Sequence, residues 1–466
     1  MAAGVTVLCA VRGAAETDVV VALGAPGSGA TVTRRCGDVA ELLAAAAAGA
    51  GAVAIVSGDL PGLDRETVGR LHAAGVRVVA LGDDVTPAAR LHGLGVDAVV
   101  ERYDEGTLLA AVRDATPAAD APGRLVLGHG GEDDDPHLSA GVDGPDDLVA
   151  DDAAPRHGAV VAVWGPVGAP GRTTVTLELA AALGGLSRPR RRHGRARRDT
   201  ATPPSESALV VDADTYGASV AARLGLLDDA PGLAAVARAA AHGSLDLQTL
   251  ARHSPVVGGR VRVLTGITRA SRWPELPASA IEVVLERARE LADWTVVDCG
   301  PLLEADELLM YDTHAPQRNG ATLAALQAAD VVVVVGTADP VGVQRLVRGL
   351  EELREVPVPV AGERVVVVNR VRSSSVGARP EEAVRDALAR YAGVDEVHLV
   401  PDDAGGLDAA LLAGRTLAEE VPASPVSAAF EDLARRVRAA TGAASAEEGA
   451  PADGAAGERA SEPAGV

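Results

Sequence analysis

The chain contains no lysine: all 43 of its basic residues are arginine. Any site that calls for a compact ammonium must therefore use a larger, planar guanidinium. Aromatic residues make up 2% of the 466, so a core has to be built from valine, leucine and alanine, which the 47% apolar content supplies. The three cysteines, Cys9, Cys36 and Cys299, are far apart and form no CxxC pair. That excludes a disulfide framework and points to a reducing cytoplasm. No run reaches about 18 consecutive apolar residues, so no membrane span is expected. Residues 1–13 lack a basic segment followed by a long apolar one, so no signal peptide is expected there either. The ten histidines show no HExxH or other metal spacing. The net charge of −22 argues against nucleic acid coating the whole surface, though a local basic patch remains open.

At roughly 150 residues per domain, the length predicts two or three units. Over 1–115, short apolar runs at 5–11, 52–57, 76–81 and 98–100 alternate with helical patterns at 39–48, 65–74, 87–94 and 105–114. This rhythm predicts βαβ units and a parallel sheet. Residues 116–158 are rich in Pro, Gly and Asp, with too little apolar surface to offset the entropy of ordering, and read as an acidic disordered linker. A calcium loop is not expected there, because the regular ligand spacing and the closing Glu are missing. A second αβ region spans 159–440, with strands predicted at 160–164, 208–212, 261–265, 295–298, 331–336, 364–369 and 396–400. Helices lie between them, 281–291 being a clear amphipathic case, and 407–414 and 428–440 read as terminal helices. Residues 441–466 are dominated by Ala, Gly, Glu and Pro and read as a disordered tail.

The most informative motif follows the strand at 160–164. It reads Gly165-Pro166-Val167-Gly168-Ala169-Pro170-Gly171-Arg172-Thr173-Thr174 and leads into a helix predicted over 175–183. Glycines let backbone N–H groups curl toward a phosphate, the helix N-terminus adds partial positive charge, and Thr173 can offer a hydroxyl to Mg²⁺. Pro170 stands where a small residue is usual, and Arg172 where the phosphate-binding Lys is usual. Two later strands end in acids: Asp212-Ala213-Asp214 and Asp298, the latter followed by Cys299-Gly300-Pro301. Carboxylates at the C-terminal ends of parallel strands sit where α/β ligands bind, and Asp298 has the form of a Walker B acid.

The order of these motifs resembles the MinD/ParA superfamily of deviant Walker A ATPases. So do the later segments Val365-Val366-Val367-Val368-Asn369-Arg370 and Leu399-Val400-Pro401-Asp402-Asp403. The resemblance implies a mostly parallel-sheet P-loop NTPase domain that binds ATP and Mg²⁺. It implies that Gly168, Ala169, Pro170, Gly171, Arg172, Thr173 and Thr174 cradle the phosphates. Thr173, Asp212 and Asp298 would support the metal, and Asn369, Pro401 and Asp402 would hold adenine. Asp214 and Arg172 would act in catalysis, Asp214 by orienting the attacking water. The family binds ATP as a sandwich homodimer in which a signature Lys crosses to the partner's phosphates. Val167 occupies that position here, so the trans contact is missing. Cationic stabilisation of this kind is worth about 10³–10⁵ in rate, which bears directly on hydrolysis.

The N-terminal region resembles a response-regulator receiver, which implies a flavodoxin-like fold. Ser57 stands at the phosphoacceptor position, Gly82 near the Ser/Thr position and Glu101 in place of the Lys, and the first strand ends in Cys9-Ala10 with no acidic pair. This describes a pseudo-receiver that makes contacts and does not transfer phosphate. The two-domain layout resembles CpaE-type proteins and implies a role in positioning Tad pilus machinery or septum-site machinery, with protein partners. The expected location is the cytoplasm, with recruitment to the inner membrane face by partners. An arginine-rich insert, 187–206, carries Arg188 to Arg198 and has no interleaved aromatics. Its readings are DNA contact, anionic lipid contact, a finger toward a partner's phosphates, or a solvated insert, the last being favoured. No basic amphipathic helix ends the chain, so membrane targeting through that end is not expected. Three functions stand open: an ATP-driven positioning switch, a non-hydrolysing nucleotide-binding scaffold, and a ParA-like partitioning ATPase.

Overall fold

The structure is a computed structural model that describes residues 4–82, 86–115, 157–185, 206–226, 231–305 and 317–448. The expectations for residues 116–156, for the insert at 188–198 and for the tail from 449 onward lie outside the described residues. The chain divides into two compact units, Met1–His157 with Ala237–Asp246, and Gly158–Val236 with Leu247–Val466.

The first unit is built on five strands, β1 (Val5–Ala10), β2 (Ala30–Arg35), β3 (Val53–Ser57), β4 (Arg77–Leu81) and β5 (Ala98–Val100). All pair in parallel in the order β2-β1-β3-β4-β5, which is the flavodoxin-like order. Alternate residues feed two cores. Leu8, Ala54, Val56 and Val78 face one side, and Val7, Ile55, Val79 and Leu81 the other. Helices α1 (Ala15–Gly24) and α5 (Glu105–Asp114) cover the second face through Val19, Leu23, Leu108 and Val112. Asp38, Asp64 and Asp104 each accept a backbone N–H three residues on, which explains why three helices begin where they do. Neither β2 nor α1 was predicted. The β2 sequence ATVTRR forms an edge strand that leaves most of its side chains in solvent, so it carries no apolar run to find.

The second unit holds an eight-stranded sheet in the order β13-β12-β11-β6-β10-β7-β9-β8. Its strands are β6 (Ala159–Trp164), β7 (Ala208–Ala213), β8 (Val256–Val257), β9 (Val261–Leu264), β10 (Trp294–Cys299), β11 (Val331–Thr337), β12 (Glu363–Val371) and β13 (Val397–Pro401). Every pairing is parallel except β8 with β9. Parallel strands covered on both faces read as continuous apolar runs, and β6, β7, β10 and β11 are buried almost throughout. The seven strands expected here all form, within two residues of the predicted ends. The two-residue β8 was not predicted.

Helix α6 (Arg172–Leu183) packs on one face of this sheet, against Val161, Val163, Val210, Val296 and Val333, together with Phe430, Leu433 and Val437 of the last helix, Pro425–Glu448. That last helix continues past Thr441, where the sequence reading began the tail; a run of Ala and Glu is a good helix former once started. Because β6 lies between β10 and β11, its C-terminal end is a point where neighbouring connections diverge, which is where ligand crevices form in such sheets.

Candidate phosphate-binding site

The chain leaves β6 at Gly165 and turns at once, with the Ala169 amide donating to the Pro166 carbonyl at 2.9 Å. Gly168 and Gly171 take the left-handed region, at φ 78° and 103°, which only glycine enters at low cost. Space demands glycine as well: a β-carbon at Gly168 would overlap the Arg345 guanidinium, and one at Gly171 the Asn369 amide. Gly171 caps α6 with no side-chain hydrogen bond to the first turn. The amides at the start of the helix are therefore left to an anion or to solvent.

The strand register explains the acidic cluster beneath this turn. Asp298 on β10 is the direct partner of Asp212 on β7, and both lie on the face that carries Val210, Val296 and α6. The Thr173 hydroxyl donates to Asp298 Oδ2 at 2.6 Å, and Thr176 Oγ1 lies 3.4 Å from Asp298 Oδ1. Ser219 Oγ is 3.2 Å from Thr173 Oγ1. Asp212 Oδ2 accepts from the Val220 amide at 3.0 Å, while its Oδ1 is buried and meets no partner among the described residues. Burial pushes the Asp298 carboxyl up to about 6, with the Asp214 charge adding to the rise and the Thr173 hydrogen bond opposing it. Burial also holds Asp212 well above the ordinary carboxylate range, helped by the charge of Asp298. Asp214 is fully engaged: Oδ1 accepts from the Tyr216 and Gly217 amides at 2.8 and 3.1 Å, and Oδ2 lies 3.3 Å from Arg172 Nη2.

These groups border a cavity of about 250 Å³. The loop and α6 wall it with Pro170, Gly171, Thr173 and Thr174, and the segment after β7 with Asp214, Ser219 and Arg223. Of the residues expected at a phosphate site, the structure brings Ala169 through Thr174 and Asp214 to this cavity. Asp298 stands one hydrogen bond behind it, and Asp212 lies beside Asp298. Asn369 reaches the loop from β12, its Nδ2 lying 3.4 Å from the Pro170 carbonyl. It also caps its own chain by accepting from the Arg370 amide at 2.8 Å, and Arg370 adopts φ 57°. Pro401 pairs in register with Val371, and the Asp402 amide donates to the Val371 carbonyl at 3.1 Å, so both stand at the same sheet end as Asn369. Gly168, Asn369, Pro401 and Asp402 do not line the 250 Å³ cavity.

The donor set fits Mg²⁺ in one mode only. Among the described residues no three His, Cys, Asp or Glu side chains are grouped to hold a metal by themselves. Mg²⁺ needs no such cage: it takes one or two protein oxygens and completes its shell with water and phosphate oxygens. The Thr173 hydroxyl, the Asp298 carboxylate and the unpartnered Asp212 Oδ1 suit that mode.

Ser219, Arg223, Tyr216 and Arg345 lie outside the motifs that mark this site in the sequence. Tyr216 links the Asp214 turn to Asn319, its hydroxyl donating to Oδ1 at 2.8 Å, and carries the Arg318 guanidinium 4.1 Å above its ring. One signal was available: Asn319 and Asn369 are the chain's two asparagines, and both are buried near the loop or the acids.

No protein-family model matches the chain, and no curated protein does either. Solved structures similar to it include a ParA family ATPase from Chlorobium tepidum TLS, at 16% identity and a TM-score of 0.46, covering 60% of this chain and 99% of that one. The cell division ATPase MinD of Pyrococcus furiosus is similar at 18% identity and a TM-score of 0.45, covering 60% and 99%. The septum site-determining protein MinD complexed with Mg-ADP, from Pyrococcus horikoshii OT3, is similar at 18% identity and a TM-score of 0.43, covering 61% and 98%.

Proposed function

We propose that the second unit binds Mg²⁺-ATP at the turn between β6 and α6, as a P-loop protein of MinD/ParA type. The observation that carries this reading is the 2.6 Å bond from the Thr173 hydroxyl to Asp298, made at the foot of a turn with two left-handed glycines. In a P-loop, a Ser or Thr and a strand-end Asp are the pair that shares Mg²⁺. On this reading the amides of 168–174 bind the phosphate chain, and Thr173 and Asp298 orient the ion with Asp212 behind them. Asn369, Pro401 and Asp402 border the base. Bound Mg²⁺ would neutralise phosphate charge.

A non-hydrolysing or slow site is favoured over a fast one by Asp214 and Arg172. All the geometry around Asp214 serves backbone amides and Arg172, leaving it poorly placed to orient a water. Arg172 in turn is held by Asp214 and by the Gly165 carbonyl, 3.5 Å from Nη1. With Val167 in the loop, the cationic help that speeds phosphoryl transfer is thin.

The finer reading is a nucleotide-dependent homodimer that positions a pilus or division complex, with the first unit as a pseudo-receiver. In support of the latter, Ser57 at the end of β3 is buried and accepts the Arg12 amide at 2.7 Å, and β1 ends in buried Cys9 and Ala10 with no carboxylate. A ParA-like partitioning role remains the alternative. No helix among the described residues is long and apolar enough to cross a membrane. The test is Mg²⁺-dependent nucleotide binding and ATP turnover beside Asp298→Ala. Tight binding that is lost in the variant, with turnover near background, is the expected result. Equal binding by both proteins would remove the site.

A further inference from the structure

We infer that Arg223 is a second cation for the phosphate chain, supplied in cis from the segment after β7. This rests on the nucleotide reading above and deepens it. Three charged residues line the 250 Å³ cavity: Arg172, Asp214 and Arg223. Arg172 and Asp214 are an ion pair at 3.3 Å, so their charges largely cancel across the cavity. Arg223 has no such partner among the described residues. Among the described residues no carboxylate lies within ion-pairing distance of it, and its Nε is buried without a hydrogen bond. Among the described residues it is the cavity's one charged side chain without an ion-pair partner.

Its position follows from local structure. Ser219 and Arg223 are four residues apart across the short helix Val220–Arg223, so they share a face. Ser219 already touches the Thr173 hydroxyl, which fixes that face toward the start of α6. Burial opposes the guanidinium charge, and the Glu178 and Asp298 carboxylates offset that opposition. A half-buried guanidinium with a buried, unpaired Nε costs stability unless something anionic enters its reach. Arginine suits that anion, because its planar fork matches phosphate oxygens. Position 167, where a cation is expected by resemblance, is a half-exposed valine. Arg223 restores the missing charge from within the same chain and without a dimer partner.

The experiment is titration calorimetry of the full chain with Mg-ADP and Mg-ATP, comparing wild type with Arg223→Gln and Arg223→Lys, at two salt concentrations. The unfolding midpoint of each protein is recorded without nucleotide. We expect Arg223→Gln to weaken both nucleotides by about ten- to a hundredfold and to flatten the salt dependence, with an unchanged or raised midpoint. Arg223→Lys should recover most of the loss. Binding by Arg223→Gln within twofold of wild type overturns the inference and leaves the P-loop reading intact. A Lys variant as weak as the Gln variant also overturns it, since a cation would then not be what matters. Failure of the folded wild type to bind either nucleotide removes the nucleotide reading itself, and this inference with it.

Discussion

Arg172 Nη2 lies 3.3 Å from Asp214 Oδ2, joining the loop's own cation to the acid that ends the Asp-x-Asp strand. Both side chains are largely buried, so the pair is poorly screened by solvent. On the proposed nucleotide reading, the same pair would withdraw the cation from the phosphates and the acid from an attacking water.

Asp214→Asn should therefore tighten Mg-nucleotide binding several-fold, because it frees Arg172 and removes a negative charge from the cavity wall. Turnover should not rise with it. Calorimetric affinities beside phosphate-release rates check both. A weaker affinity in the variant would mean that the pair organises the loop more than it competes with ligand.

Asp298→Asn should stabilise the nucleotide-free protein near neutral pH. Its folded carboxyl is raised to about 6, above its ordinary value, so the folded state holds a proton that the unfolded chain releases earlier. That contribution is complete below about pH 4 and is lost as pH rises through about 6. Asp212 is shifted in the same direction, so the two titrate as a pair. Unfolding midpoints in EDTA should show the variant ahead at pH 7.5 and the gap shrinking toward pH 5. The same variant should lose the Mg²⁺ dependence of nucleotide binding.

Glu178 offers a second, independent pH test. Burial lifts its carboxyl to about 7, against the Leu417 and Ala418 amides that favour the charged form. Stability from this group is present below its ordinary value and lost as pH rises through about 7. Glu178→Gln keeps an acceptor for the Leu417 amide, now 2.8 Å from Oε1, and drops the buried charge. The variant should melt higher than wild type at pH 8 and equally at pH 5.5. Glu178→Ala should instead cost about 1–3 kcal/mol, since the buried amide loses its partner.

Arg289→Ala should cost about 1–3 kcal/mol of stability by denaturant titration, without a direct effect on nucleotide affinity. Arg289 binds the Gly158 and Ala328 carbonyls at 2.8 and 2.7 Å and both oxygens of Asp330 at 2.6 and 3.1 Å. Asp330 Oδ2 also accepts the Val160 amide at 2.7 Å, so this arginine ties the starts of β6 and β11 together. An unchanged midpoint would show that solvent replaces these bonds at no cost.

The parts of the fold legible in the sequence are those written as apolar runs. β11 reads Val-Val-Val-Val-Val, and β7 and β10 reach their first acid, Asp212 and Asp298, after Ala-Leu-Val-Val and Trp-Thr-Val-Val, so their type and their ends were plain. β2 and α1 were not, because an edge strand of Thr and Arg and an alanine-rich helix leave no apolar run to read. The turn between β6 and α6 was legible because its signals are local: glycines at 168 and 171 and hydroxyls at 173 and 174 follow one strand within ten residues. Arg223, Ser219 and Arg345 were not, because nothing in their own neighbourhood marks them.

The sequence by itself determined the α/β class, the order of the strands along the chain and the residue types at the loop and strand ends. Backbone propensity, apolar pattern and turn chemistry act within a few residues, and so can be read there. Only the tertiary structure decided that Asp298 pairs in register with Asp212, that Asp214 is spent on Arg172 and two amides, and that Arg223 lines the same cavity as the loop. Those facts depend on which strands become neighbours and how far each side chain is taken from water. Long-range packing sets both, and no local run of residues encodes them.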